Sequence, residues 1–294
     1  MTAIDLAALN RAPAAEFAGH LANVYEHAPW VATAVAAARP FATAGALFAA
    51  LKAAVRAASE AERLALIHGH PELAPPAREG GALTADSTSE QASAGLDRLD
   101  PAEMTEFRRL NEAYRAKFSF PFIICVRRHT KESVLANFAR RLGQSAEIEV
   151  ETALDEIDRI AALRLDALVA GEGRLAVAGR LSTHVLDTHA GKPADGVAIE
   201  LRELSARGDR LITSARTNAD GRTEAPVIAG RPLPIGRYEL RFAVGAYFAT
   251  RGIPLADPPF LDVVPVRFAI AEAEGHYHIP LLVTPWSYST YRGS

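Results

Sequence analysis

Two periodicities divide this chain. Up to about residue 170 apolar side chains recur every three to four positions, the spacing of one helical face. Beyond it they alternate at every second position, in short runs punctuated by Gly, Pro and Asp. In the first part Ser59 and Glu62 form a capping box that starts a helix through Leu64 and Ile67, stopped by Pro71. Asp100, Pro101 and Glu103 open another, whose stripe of Met104, Phe107, Leu110 and Tyr114 carries it to about Lys117. A last helix, roughly residues 148–168, has its stripe on Val150, Ile157, Ile160 and Leu168. In the second part residues 181–187 alternate, as do Val197, Ile199 and Leu201, then Tyr238, Leu240, Phe242 and Val244, then Val266, Phe268 and Ile270. About seven or eight half-buried antiparallel strands in a sandwich are expected. With Gly171-Glu172-Gly173 as the joint, the pattern predicts two domains: an all-α domain over 1–170, a linker over 171–177 and an all-β domain over 178–294.

Composition narrows the partners. A length of 294 residues suits two cores, and 49% hydrophobic with 23% charged residues at a net charge of −3 describes a globular chain without the basic bias that nucleic acid demands. The single cysteine, Cys125, sits in the apolar run PFIICV, which excludes an intrachain disulfide and suits a reducing compartment. The opening MTAIDLAALNRAPAAEF has an early acidic residue and no long apolar core, and no apolar stretch reaches about 18 residues, so no membrane partner and a cytoplasmic setting are expected.

Candidate chemistry gathers at a few words. His70 ends the first of these helices, within HGHPEL, where the macrodipole favours a charged capping imidazole; alternatively it is the proton-transfer group of a pocket. The polar cluster Ser87, Thr88, Ser89, Glu90 and Gln91 and the apolar strip Phe122, Ile123, Ile124, Cys125 and Val126 supply the polar contacts and apolar walls that a small polar substrate needs. Arg164 falls on the apolar stripe of the last helix, where it snorkels, pairs with a buried acid such as Glu90, or meets an anionic substrate. In the second part, Asn218-Ala219-Asp220-Gly221 is a turn that places Arg222 at a strand start. His276 and His278, two apart in HYHIPLLV, share one strand face. Such a pair is two satisfied imidazoles or, with His184, part of a zinc site; no carboxylate or thiolate ligand word accompanies it.

These words resemble two families. HPELA, STSEQASAGLDRLD, FRRLNEAYRAKFSFPFIICV and LRLDALV are similar, across nearly all of residues 1–170, to the 2-oxo-4-hydroxy-4-carboxy-5-ureidoimidazoline (OHCU) decarboxylases. That resemblance implies a cofactor-free helical homodimer with His70 as proton donor. Substrate contacts would fall on Pro71, on residues 87–91 with Glu90 central, on residues 122–126 and on Arg164. LSTHVLD, TNADGR, GAYF and HYHIPLLVTPWSYSTYRGS resemble the transthyretin-related 5-hydroxyisourate hydrolases over about residues 178–294, chain ending included. This implies a transthyretin-like sandwich with His184, Arg222 and His278 catalytic, Ser294 with them, and Tyr291 and Arg292 completing the pocket, without a metal. The YRGS ending disfavours a hormone carrier. Together the two resemblances imply consecutive steps, 5-hydroxyisourate to OHCU and OHCU to (S)-allantoin, in a homotetramer built from dimers. The rival is a transthyretin-like small-ligand binding protein with a helical oligomerisation domain.

Overall fold

Helix starts follow the capping chemistry written in the chain. The computed structural model describes residues 3–74 and 84–293. Its helices in the first part are α1 (Leu6–Arg11), α2 (Ala14–Leu21), α3 (Pro29–Val35), α4 (Ala44–Ala57), α5 (Glu60–His68), α6 (Ala85–Ser93), α7 (Pro101–Phe118), α8 (Lys131–Arg141) and α9 (Ala146–Leu168). Ser59 caps α5 and Asp100 caps α7, each in a reciprocal box with Glu62 or Glu103. Thr84 caps α6 by accepting from the Ser87 amide at 3.2 Å. In α9 the residues Ala153, Leu154, Ile157, Ala161 and Leu165 are fully buried, so this longest helix forms the spine of the helical core. Tyr114 of α7 meets Phe118, Phe120, Phe122 and Phe138 edge-on or tilted, and Phe122 stacks on Phe138 at 3.7 Å.

The chain divides into two compact units, one of Met1–Arg127 with Ser133–Val177, the other of Arg128–Glu132 with Ala178–Ser294. Two details depart from the expected partition. The first unit is not purely helical: β1 (Ile4–Asp5) pairs in parallel with β2 (Val169–Ala170). The segment expected as a linker is folded into that unit, where the Gly45 amide donates to the Gly173 carbonyl at 3.3 Å. Residues 128–132 belong to the second unit because Ile235 exchanges hydrogen bonds with Arg128 and Thr130, at 2.7 and 3.1 Å, and Arg128 pairs with Glu274.

The second unit is a sandwich of two sheets. Its strands are β3 (Gly179–Asp187), β4 (Lys192–Pro193), β5 (Ala198–Ser205), β6 (Gly208–Arg216), β7 (Ile228–Arg231), β8 (Gly236–Ala243), β9 (Val263–Ile270), β10 (His276–Val283) and β11 (Tyr288–Thr290). One sheet runs β11-β10-β3-β4, with β7 also on β3; the other runs β6-β5-β8-β9. The second is antiparallel as expected, but β10 lies parallel to β3, pairing Ser182 with His278 and His184 with Pro280. Alternation fixes which face a side chain takes and is silent on strand direction, so this departure was not readable from it. Val244, expected at the end of a strand, starts a short helix, α10 (Val244–Ala249), whose Val244, Tyr247 and Phe248 keep the apolar positions buried. Inward side chains of β3 and β10, including Leu181, Val185, Tyr277, Ile279 and Leu281, build the core with Ile199, Leu201, Leu240 and Phe242. The alternate positions, Arg180, Ser182 and His184 on β3 and His276 and His278 on β10, are thereby turned to the outer face.

Candidate active sites

In the helical unit, Gly69 closes α5 and the His70 amide donates to the Ile67 carbonyl at 3.2 Å, a turn that carries the His70 side chain inward to 7% exposure. Its Nδ1 lies 3.0 Å from the Leu66 carbonyl. A carbonyl only accepts, so Nδ1 carries the proton and Nε2 the lone pair. Among the described residues Nε2 has no hydrogen-bond partner. Burial pulls the imidazole down to about 4, aided by the charge of Arg164 and opposed by the Leu66 carbonyl and the charge of Glu26. His70 is therefore neutral at pH 7, and it caps the last turn through the Leu66 carbonyl without the charge expected there, because desolvation outweighs the helix terminus.

His70 lines a small cavity that is partly open to solvent. Pro71, Ser87, Glu90, Gln91, Arg164 and residues 122–126 line it too. Thr88 and Ser89 do not: the helical period that turns Ser87, Glu90 and Gln91 inward leaves these two exposed on the other side of α6. Of the alternatives for Arg164, pairing is the one observed. Its Nε and Nη2 each donate to Glu90 at 2.9 Å, and Nη1 donates to Glu26 at 2.5 Å. These carboxylates raise its proton affinity above the ordinary value against the cost of burial. Glu26, 2% exposed, also accepts from the hydroxyls of Thr84 at 2.6 Å and Ser87 at 3.1 Å. Burial works to raise its pKa, yet the Thr84 hydrogen bond and Arg164 together hold it below the ordinary carboxylate value.

Among the described residues the apolar wall has no strand partner, and buried side chains satisfy its backbone. Arg141, 1% exposed, donates from Nη1 to the Ile123 carbonyl at 2.7 Å and from Nε to Glu149 at 2.8 Å. Glu156 accepts from the Cys125 amide at 2.8 Å. An irregular segment can thus be rigid at the edge of a cavity. Sequence reasoning missed Glu26, Arg141 and Glu156; only acidic or basic residues at buried helical or loop positions hinted at them.

The second constellation sits on the outer face of β3 and β10. A backbone bridge joins His184 to Arg222 and another joins His278 to Gly293. Gly221 makes the first possible: its φ is +69°, and a Cβ there would lie 2.3 Å from the Val185 carbonyl and 3.1 Å from the His184 ring. Gly293 does the same for His278, whose Cδ2 would lie 2.7 Å from an added Cβ, while the Gly293 amide donates to the His278 carbonyl at 2.8 Å. Ser182 stands between the two imidazoles of β10, its Oγ 3.0 Å from Nδ1 of His278 and 3.5 Å from Nε2 of His276. Burial and then the Arg222 charge lower the pKa of both His184 and His278. Nε2 of His184 is buried without a partner among the described residues. Tyr291 is 58% exposed, Arg292 stacks over the Tyr277 ring at 4.8 Å, and Ser294 lies outside the described residues. Among the described residues no three His, Cys, Asp or Glu side chains are grouped to hold a metal ion.

The fold and both constellations define a two-enzyme chain. Residues 10–166 match the OHCU decarboxylase family and residues 181–293 match the HIUase/transthyretin family. The chain belongs to both, one family for each unit. It is 57% identical to the 5-hydroxyisourate hydrolase of Ralstonia nicotianae over 116 residues, 40% of this chain and 99% of that one. With the 2-oxo-4-hydroxy-4-carboxy-5-ureidoimidazoline decarboxylase of Haloferax volcanii it shares 39% identity over 165 residues, 56% of this chain and 96% of that one. Across both units it is similar to the crystal structure of an (S)-allantoin synthase, at 37% identity and a TM-score of 0.54, covering 99% of this chain and 100% of that one.

Proposed function

We propose that the chain degrades urate products in two steps, opening 5-hydroxyisourate on the sheet face and decarboxylating OHCU to (S)-allantoin in the helical cavity. The observation that carries this is the whole-chain likeness to an (S)-allantoin synthase, with an imidazole of lowered proton affinity at each site. For ring opening, a neutral His184 or His278 takes a proton from water as its oxygen bonds the carbonyl carbon and returns it to the ring nitrogen as the C–N bond breaks, while Arg222, always charged, faces the charge that grows on the carbonyl oxygen.

For decarboxylation, neutral His70 must first be loaded. Loss of CO2 leaves its bonding pair on the adjacent ring C=N unit, whose nitrogen takes a proton from solvent, and the hydroxyl on the carbon that lost CO2 gives up its own proton as that carbon becomes a ring carbonyl. His70 Nε2 accepts it and returns it to the neighbouring ring carbon from one face, which sets a single configuration. The apolar wall of residues 122–126 leaves a carboxylate poorly solvated and favours its loss. Arg164, already held by Glu26 and Glu90, presents a fixed polar edge instead of a mobile cation. We further propose a homotetramer built from dimers, supported by the exposed Trp286, Tyr288 and Tyr291, and a cytoplasmic setting that suits the single thiol.

The test is to generate 5-hydroxyisourate from urate in the presence of the protein and follow both intermediates with the optical activity of the allantoin. Accelerated loss of both with (S)-allantoin formed is expected. No acceleration of either step would leave a ligand carrier.

A further inference from the structure

Opening a cyclic amide with water gives a carboxylic acid and an N–H of low basicity, and the acid ionises at neutral pH. One proton therefore leaves the sheet face in every turnover, and the face needs a way out for it. Arg222 cannot carry it, being permanently charged. The charged and titratable groups around His278 are Arg180 and His184 on β3, Arg222 after the turn and His276 on β10 itself. Of these, His276 is linked to His278 by hydrogen bonds through Ser182. The parallel register is what creates the link, because Ser182 is the partner of His278 and Arg180 that of His276, leaving the hydroxyl between residues i and i+2 of the neighbouring strand. Ser182 is 9% exposed, whereas His276 is exposed to solvent.

We propose that Ser182 and His276 form a proton exit from the hydrolytic site. The inference rests on the ring-opening function proposed above. With Nδ1–H of His278 donating to Ser182 and the Ser182 hydroxyl donating to His276, the relay is complete. A proton gained at Nε2 of His278 releases Nδ1–H to Ser182 Oγ, which passes its own proton to Nε2 of His276; Nδ1–H of His276 then leaves to water, and rotation of the Ser182 hydroxyl with proton exchange of both imidazoles with water restores the starting tautomers. Ser182 and His276 touch no reacting atom; they act through His278. Their roles are those of relay and positioning.

The experiment compares Ser182→Ala, Ser182→Thr, His276→Gln and the Ala/Gln double variant in steady-state ring opening, at low and high imidazole concentration in otherwise weak buffer. Ser182→Ala should lower kcat about tenfold at unchanged KM, with imidazole restoring most of the loss, because a mobile acceptor replaces the missing hydroxyl. Ser182→Thr, which keeps the hydroxyl, should stay near wild type. His276→Gln should match Ser182→Ala, and the double variant should be no worse than either. An unchanged kcat in Ser182→Ala, a loss that imidazole fails to reverse, or a loss carried by KM would overturn the relay while leaving the hydrolytic site intact. Wild-type ring opening in Arg222→Lys would instead remove the hydrolytic function from this face, and the relay with it.

Discussion

The helical cavity and the sheet face both lower the proton affinity of histidines by burial, to different depths and amid different charges. His70 is taken out of water by its surroundings, and the charges of Glu26 and Arg164 oppose each other around it. His184 and His278 stay half-exposed, and after burial it is the Arg222 cation that holds them down. Desolvation leads at both sites; at the first the neighbouring charges oppose each other, and at the second a cation adds to it. Burial is indifferent to salt and tolerant of pH, while half-exposed charge is neither.

The largest expected separation comes from His70→Asn, which removes the proton carrier without changing the cavity size greatly. Decarboxylation should fall about 10³-fold and ring opening should not change. Intermediates followed separately check this, and a joint loss would erase the distinction between the sites. Arg222→Lys comes next: losing the planar fork should cost ring opening about 10²-fold and leave decarboxylation alone. Glu26→Gln should slow decarboxylation about tenfold and destabilise the chain by about 2–4 kcal/mol, since Arg164 loses its buried anion and keeps only the half-buried Glu90. Thermal unfolding with initial rates reads both effects.

Two smaller effects sharpen the contrast. Because His70 binds its proton only near pH 4, the acid limb of decarboxylation by the free enzyme should lie well below pH 6, measured as kcat/KM against pH. The same depression has a stability sign. The unfolded chain takes up this proton below about 6.5 and the folded chain only near 4, so acidification across that window destabilises, and His70→Asn should flatten that part of the profile. Finally, raising salt from low to about 0.5 M should change the kcat/KM of ring opening about threefold and that of decarboxylation hardly at all.

How far the sequence reached follows the same divide. The period of two placed His276 and His278 on one face, and the period of 3.6 put Arg164 on the buried stripe with Glu90 in reach, both as found. Glu26 was invisible because it lies in the turn between α2 and α3, where no periodicity operates, and its partners stand 58 to 138 residues away. The Ser182 bridge was hidden for a related reason: it depends on a parallel pairing between the first and the penultimate strands of the unit, which no local pattern encodes. Thr88 and Ser89 show the converse failing, a contiguous word assigned whole to a site when the helix turns half of it away.

Cys125 gives the molecule a native reporter. The single sulfhydryl of the chain is 1% exposed and belongs to the wall of the helical cavity. Its alkylation is therefore slow, and a molecule seated in the cavity slows it further, whereas one bound on the sheet face leaves it unaltered. A mass shift at one residue then measures occupancy of the decarboxylating site in the intact bifunctional chain, with no label introduced and no turnover required.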